Sequence, residues 1–582
     1  MHDLVIRGGT IVDGTGAPAR EGDVAIDAGR ISAVGGVAAR GREELDARGL
    51  AVLPGFVDVH THYDGQATWD TQLAPSCWHG VTTVVLGNCG VGFAPAAPER
   101  RDWLIGLMEG VEDIPGAALA DGIRWSWESF PEYLDALERM PRALDVGAQI
   151  PHGALRAYVM GERGARNEPA TSDDVARMAD LVREAMAAGA FGFSTSRTIG
   201  HRAIDGEPVP GTFAREDELF GIGAALADAG HGVFEVAEAG VGGMAAGDAS
   251  GAAVREMGWM TELARRIRRP VSFLLLQNDA APDEWRELLR LADEAAGQGA
   301  ELVPQVAARP FGMLIGHQSR ANPFATLPSY AELAALPLAG RVARLRDPAV
   351  KQRILADRPP KGAAGLAALL GPRMFGRLFP LGEKPDYEPS PDASIAAIAA
   401  REGRDAVEVL YDRMLEDDGR ALLLFPLLNY SALDAEPIRE MMLHPRSVLG
   451  LGDGGAHCGI ICDASMTTYV LAHWVRDRTR GARIRLERAV KQLTHDPAAL
   501  YGFADRGVLR PGLKADVNVV DLDRVALCAP EMAYDLPAGA PRLLQRARGY
   551  VATIVAGEVT LRDGEATGAL PGRLVRSRPA AA

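Results

Sequence analysis

His60 and His62 stand one residue apart near the end of VLPGFVDVHTHYDG (Val52–Gly65), an apolar alternating run with a Pro-Gly near its start. In a strand, residues two apart project to one face, so both imidazoles and Asp58 point the same way. Two imidazoles in register can hold a divalent metal. A single histidine there would read as a core residue satisfied by neighbouring hydrogen bonds; two in register turn the balance. Much farther along, GLGDGGAH (Gly450–His457) offers Asp453 just past another apolar run. An Asp between glycines is usually a turn residue, so its value depends on what the fold sets beside it.

The elements that would bring these groups together alternate along the middle of the chain. Strand patterns at 53–62, 81–88, 145–152, 190–196, 232–238, 270–277, 301–309 and 447–454 are separated by helical patterns such as TSDDVARMADLVREAMAAG (Thr171–Gly189). Strand, helix, strand with short loops means parallel strands and right-handed crossovers, and eight of them close a (β/α)8 TIM barrel. In that fold the chemistry sits at the C-terminal strand ends, and strand eight adjoins strand one, so Asp453 faces His60 and His62. Residues 1–52 and 505–582 instead show short alternating strands with Gly turns, which predicts a β-sandwich built from both termini. The barrel then spans 53–504. Its stretch at about 310–445 is too long for a strand-to-helix connection and is expected as an insertion over the barrel mouth.

Composition removes several function classes. At 582 residues two or more units are expected. A formal charge of −15 argues against nucleic acid and anionic membrane as partners. No run is apolar for the length of a membrane span. No basic segment followed by an apolar one opens the chain, which predicts a cytoplasmic protein. Five scattered cysteines are expected as thiols, with Cys458 and Cys462 as packing residues. The glycine clusters open no helix in GxGxxG register, so they are no nucleotide fingerprint. At the predicted strand ends, His152, Ser194, Ser196, Arg197, Glu235, Gln277 and Arg309 form a candidate substrate-facing rim. Arg197 and Arg309 could grip a carboxylate bidentately, or equally pair a structural Asp or Glu.

PGFVDVHTHYD, the β-rich pairing of the termini and the strand-eight Asp resemble the amidohydrolase superfamily. GNCGVGFAP (Gly87–Pro95), PHGALRAYVMG (Pro151–Gly161), GAFGFSTS (Gly189–Ser196) and GVLRPGLKADVNVVD (Gly507–Asp521) narrow the resemblance to its N-acyl-D-amino-acid deacylase, or D-aminoacylase-like, branch, over nearly the whole chain. The resemblance implies His60 and His62 as strand-one metal ligands, Cys89 as the strand-two cysteine ligand, and Asp453 as a metal ligand that is also the catalytic acid and base. The sequence departs from the branch where strands five and six should end in histidines. Those strands read GVFEVAEAG and SFLLLQND, so Glu235 or Glu238 and Gln277 stand there instead, and no Lys ends strand four.

Three readings of the site stay open: a divalent ion on His60, His62, Asp453 and Cys89; recruitment of Glu235 or another carboxylate; or loss of the metal. Zinc, as one ion rather than two, suits the mixed nitrogen, sulfur and oxygen set best. The expected activity is hydrolysis of an amide C–N bond by metal-activated water, with Asp453 moving the proton, most like deacylation of N-acyl-D-amino acids. The alternatives are hydrolysis of another amide, a cyclic imide, a formamide or a lactone, and, from another class, a metal-free binding or assembly subunit. The expected partner is a small molecule with an amide bond and a carboxylate, and an edge of the sandwich offers a route to a homo-oligomer.

Overall fold

The computed structural model describes residues 1–244, 251–360 and 372–579. Eight parallel strand positions run through its middle: Phe56–Asp58, Val81–Leu86, Asp145–Ala148 continued as Ile150–Pro151, Gly192–Ser196, Val233–Ala237, Val271–Leu275, Leu302–Val306 and Val448–Leu449. They are numbered one to eight below. Strands four to seven are buried along their whole length, which is why they read as nearly continuous apolar runs. Neighbours in the chain are neighbours in space, in two hydrogen-bonded runs that meet at the break in strand three at Gln149. The outer edges of the two runs also meet. Thr61 bridges Gly454 in parallel register, the Asp453 N–H donates to the His60 carbonyl at 3.0 Å, and the His62 N–H donates to the Gly454 carbonyl at 2.8 Å.

Helices between the strands carry ordinary start and stop chemistry. Ser172–Ala188 begins on a capping box between Thr171 and Asp174 and ends at Gly189, whose φ of 110° suits glycine. Met178, Val182, Ala185 and Met186 form its buried stripe. The helix after strand two, Arg101–Glu112, buries Leu104, Met108 and, one turn on, Glu112. A left-handed Asp113 (φ 53°) stops it there. Among the described residues no helix is long and apolar enough to cross a membrane.

The two termini hydrogen-bond to each other. Ala51–Pro54 runs antiparallel to Val517–Val520, and together with the flanking hairpins they make a sheet of nine strands. His2–Ile11 is long enough to pair with Gly41–Asp46 in its first half and Ala51–Pro54 in its last, so the strands expected as two sandwich layers are joined into one hydrogen-bonded sheet. The sheet has a core of its own around Ile6, Val24, Ile26, Val517, Val519 and Ile554. Asp145 on strand three ties it to the parallel strands, accepting from Arg506 at 2.6 Å and Lys514 at 3.0 Å. Burial alone would raise this carboxyl, but the two cations outweigh it and hold its pKa below the usual value.

Between strands seven and eight the chain leaves the parallel core. It builds a small antiparallel sheet, Phe311–Ile315 and Phe379–Pro380 on either side of Leu423–Leu428, with helices such as Leu338–Leu345, Ile395–Glu402 and Ala406–Met414. A separate apolar core centred on Leu345, Ile354, Ile395, Val409 and Tyr411 holds that excursion together.

Candidate metal centre

Strand one ends at Asp58, whose carboxylate accepts from the His60 N–H at 3.1 Å and holds the chain extended into His60 and His62. After strand two the chain turns sharply. The Asn88 amide donates to the Thr61 and Val85 carbonyls, and Cys89 adopts a left-handed backbone (φ 53°) that aims its thiol inward. Ser194 on strand four fixes the same turn, donating to the Gly87 carbonyl and accepting from the Gly90 N–H at 3.0 Å. Asp453 (φ 45°) and His457 (φ 54°) are left-handed as well. Such conformations cost non-glycine residues of order 1–3 kcal/mol each, and they gather where geometry serves function.

These turns bring the groups together. His60 Nε2 lies 3.3 Å from Cys89 Sγ and 3.6 Å from Asp453 Oδ1, and His62 Nε2 lies 3.8 Å from the same oxygen. Ligands about 2.0–2.3 Å from a tetrahedral zinc stand roughly 3.4–3.6 Å apart, so these separations suit a shared ion. His60, His62 and Cys89 each place a donor atom within 4.8 Å of the others, all buried. Gln305 sets the tautomer of His60. Its Nε2 donates to Ser272 Oγ at 3.0 Å, which leaves Oε1 to accept from His60 Nδ1 at 3.0 Å and turns the Nε2 lone pair toward the cluster. His62 Nδ1 is buried 3.4 Å from Glu112 Oε1 without the alignment of a hydrogen bond, and Glu235 Oε1 is buried with no partner.

Electrostatics point the same way. Burial holds His60 neutral, down to about 3, and His62 well below its usual value, which is the form an imidazole ligand needs. Burial raises Glu112, Asp453 and the Cys89 thiol well above their ordinary values, with neighbouring carboxylates adding to the shift, and pushes Glu235 up to about 8. Three acids and a thiol beside neutral imidazoles lack a counter-charge, and a divalent cation supplies one. The donor set therefore fits a divalent metal.

Of the rim residues expected from the sequence, Glu235 is in the cluster, its Oε2 accepting from the Cys89 N–H at 3.0 Å. Ser194 holds the Cys89 turn and Ser196 meets His201 beside it, and the remaining four are engaged elsewhere. His152 lies between Thr195 Oγ1 at 2.8 Å and Glu218 Oε1 at 2.9 Å. Arg197 pairs with Glu256 at 2.6 Å, and Arg309 with Asp463 at 2.7 Å beneath the Tyr387 ring. Gln277 holds the Asn429–Ser431 loop, donating from its backbone to Asn429 Oδ1 at 2.7 Å and accepting from the Ser431 N–H at 3.1 Å. Each long polar side chain found a fixed partner on a helix or loop packed over the strand end.

Three cluster residues were not singled out from the sequence. His457 Nε2 is 3.8 Å from Glu112 Oε2 and 3.9 Å from Asp453 Oδ2, so that Glu112, His62, Asp453 and His457 form a ring of alternating carboxylate and imidazole. The His457 N–H donates to the Glu112 carbonyl, tying the two loops. His201 meets Ser196 Oγ at 3.0 Å and lines a cavity together with His60, His62, Cys89 and Asp453. Glu112 had a signal: with Leu104 and Met108 it continues an apolar stripe at spacing four, where an acid is out of place.

Parallel strands between helices, with two histidines, a thiol and a carboxylate converging at their C-terminal ends, define a metal-dependent hydrolase. Residues 43–561 match the Amidohydrolase family, and the chain belongs to it; it is a hydrolase of amide C–N bonds. It is 28% identical to an N-acyl-D-aspartate deacylase of Alcaligenes xylosoxydans xylosoxydans, over 98% of this chain and 95% of that one. A D-aminoacylase of the same organism is 38% identical over 33% of this chain and 37% of its own length. Among solved structures, an N-acyl-D-glutamate deacylase from Bordetella bronchiseptica, complexed with zinc and a phosphonate inhibitor, is 25% identical with a TM-score of 0.63, covering 99% of this chain and all of that one.

Proposed function

We propose that this chain deacylates a small-molecule amide at a single zinc ion held by His60, His62, Cys89 and Asp453. The supporting observation is the convergence of His60, His62 and Cys89 within 4.8 Å of one another, with Asp453 Oδ1 3.6 Å and 3.8 Å from the two imidazoles. The thiol favours zinc over harder ions. With it goes a reading of the architecture: the two parallel runs, linked at Gln149 and at Thr61–Gly454, are one closed (β/α)8 barrel over residues 53–504. The paired termini, 1–52 and 505–582, form its companion domain, and the segment at about 310–445 is its mouth insertion.

When bound, the ion supplies Lewis acidity that polarises a water and the scissile carbonyl. The chain's own residues do the rest. Asp453, buried yet within reach of both imidazoles, takes the proton from the attacking water and returns it to the leaving nitrogen. Gln305 orients His60 through its Nδ1, while Glu112 stands 3.4 Å from His62 Nδ1. Glu235, on the strand whose end carries a histidine in the deacylase branch, braces the Cys89 turn by accepting from the backbone N–H.

The test combines metal analysis with turnover. Protein purified without chelator should carry about one equivalent of zinc per chain, lose amide hydrolysis on chelation and regain it with zinc. A panel of N-acyl-D-amino acids, their L counterparts and cyclic amides reads the bond class. Less than about half an equivalent of metal, with no gain on reconstitution, would favour the metal-free binding subunit instead.

A further inference from the structure

Over the ligand cluster lies a cavity of about 160 Å3 whose floor is polar and whose walls are not. Val241, Leu274, Phe311 and Leu428 line it, and at the opening Met244 and Leu427 stand 45% and 38% exposed. Among the described residues no Lys or Arg lines it. The segment following Met244 reads AAGDAS, without a basic residue. Four arginines of the surrounding elements are committed to acids: Arg197 to Glu256, Arg309 to Asp463, Arg377 to Asp279 at 3.0 Å, and Arg320 to Asp113. Glu112 and Asp453 stand on its floor beside His60, His62 and Cys89.

An N-acyl amino acid brings a carboxylate to within a few atoms of the bond that breaks. In this cavity that carboxylate would lie against hydrocarbon, with no Lys or Arg among the described lining residues to take the place of its water. An apolar arm meets a surface made for it. We infer that the substrate is a neutral amide with an extended apolar acyl group and no carboxylate beside the scissile bond. The inference rests on the amide hydrolysis proposed above, and it separates this chain from the acyl-amino-acid chemistry in the names of its relatives.

The test uses the zinc-loaded full chain and matched pairs: N-acyl-D-leucine against N-acyl-3-methylbutylamine, which differ by the carboxylate, with acyl groups from acetyl to octanoyl. The neutral member should show at least tenfold higher kcat/KM. Each added methylene should raise kcat/KM about fourfold until the cavity is filled, as the ~0.8 kcal/mol of burying a CH2 group implies. Leu427→Arg, at an exposed position, should shift the ratio toward the carboxylate member at least fivefold. Calorimetry with the corresponding non-hydrolysable ketones on metal-free chain reads the same preference without turnover. Preference for the carboxylate member, or no dependence on acyl length, overturns the inference and leaves the amide hydrolysis standing. Tighter binding of the neutral ketone with no turnover of any amide sinks the hydrolysis and keeps the cavity's selectivity.

Discussion

Replacing Gln305 by Met keeps most of a buried side chain's volume and removes one function, the carbonyl that accepts from His60 Nδ1. In the native protein that bond is 3.0 Å long between residues that are 1% and 0% exposed, and Ser272 fixes its direction from behind. Without it the imidazole can rotate or take the other tautomer, and its Nε2 lone pair is no longer pinned toward Cys89 and Asp453. Loss of such an outer partner weakens metal binding about 10–100-fold, which is roughly 1.4–2.7 kcal/mol. An orphaned Nδ1–H in the core adds a stability loss of about 1–3 kcal/mol. Competition for zinc against a chromogenic chelator, with circular dichroism to verify folding, measures the first quantity, and urea denaturation of metal-free protein the second. Zinc affinity within threefold of the parent in folded Q305M would show that His60 is not an oriented ligand, and the reasoning about this site would fall.

Other outcomes follow from the same structure. Cys89→Ser should weaken zinc binding and raise the occupancy of manganese relative to zinc in a mixed-metal challenge, since a hydroxyl is a harder ligand than a thiolate; unchanged selectivity would remove Cys89 from the ligand set. Asp145→Ala removes the acid that Arg506 and Lys514 share, each keeping a second partner, Asp505 at 2.9 Å and Asp516 at 2.7 Å, and should cost about 1–3 kcal/mol in urea denaturation; unchanged stability would mean the second partners suffice. Glu388, hydrogen-bonded to His473 and Arg478, is lowered to about 2 against the opposing effect of burial. Its folded pKa lies below its unfolded one, so its contribution is present above about pH 4.5 and is lost as pH falls toward 2. Up to about 3 kcal/mol of acid sensitivity over that range should disappear in Glu388→Gln, measured as stability against pH, and an unaltered acid limb would contradict the assignment.

The strand positions were legible because parallel strands such as Val271–Leu275 are covered on both faces and read as nearly continuous apolar runs, and helices such as Ser172–Ala188 carry their own caps. His60, His62 and Asp453 were legible for a related reason. Period-two geometry and the adjacency of first and last strands act over a whole fold, so residues nearly 400 positions apart could be set together from sequence alone. The reach of a long side chain is a different matter. Arg197, Arg309, His152 and Gln277 all sit near strand ends, yet their partners, Glu256, Asp463, Glu218 and Asn429, come from helices and loops whose packing no local pattern encodes. Glu112 and His457 illustrate the converse: they reach the cluster because a left-handed residue ends a helix and a glycine-rich turn reverses direction, and the exact aim of such turns is set by tertiary contact.

An anomalous difference map collected on either side of the zinc absorption edge, from crystals grown without chelator, tests the central claim most directly. One peak that vanishes below the edge is predicted, within bonding distance of His60 Nε2, His62 Nε2, Cys89 Sγ and Asp453. A map with no anomalous peak among those four side chains, from protein shown to hydrolyse amides, would contradict it.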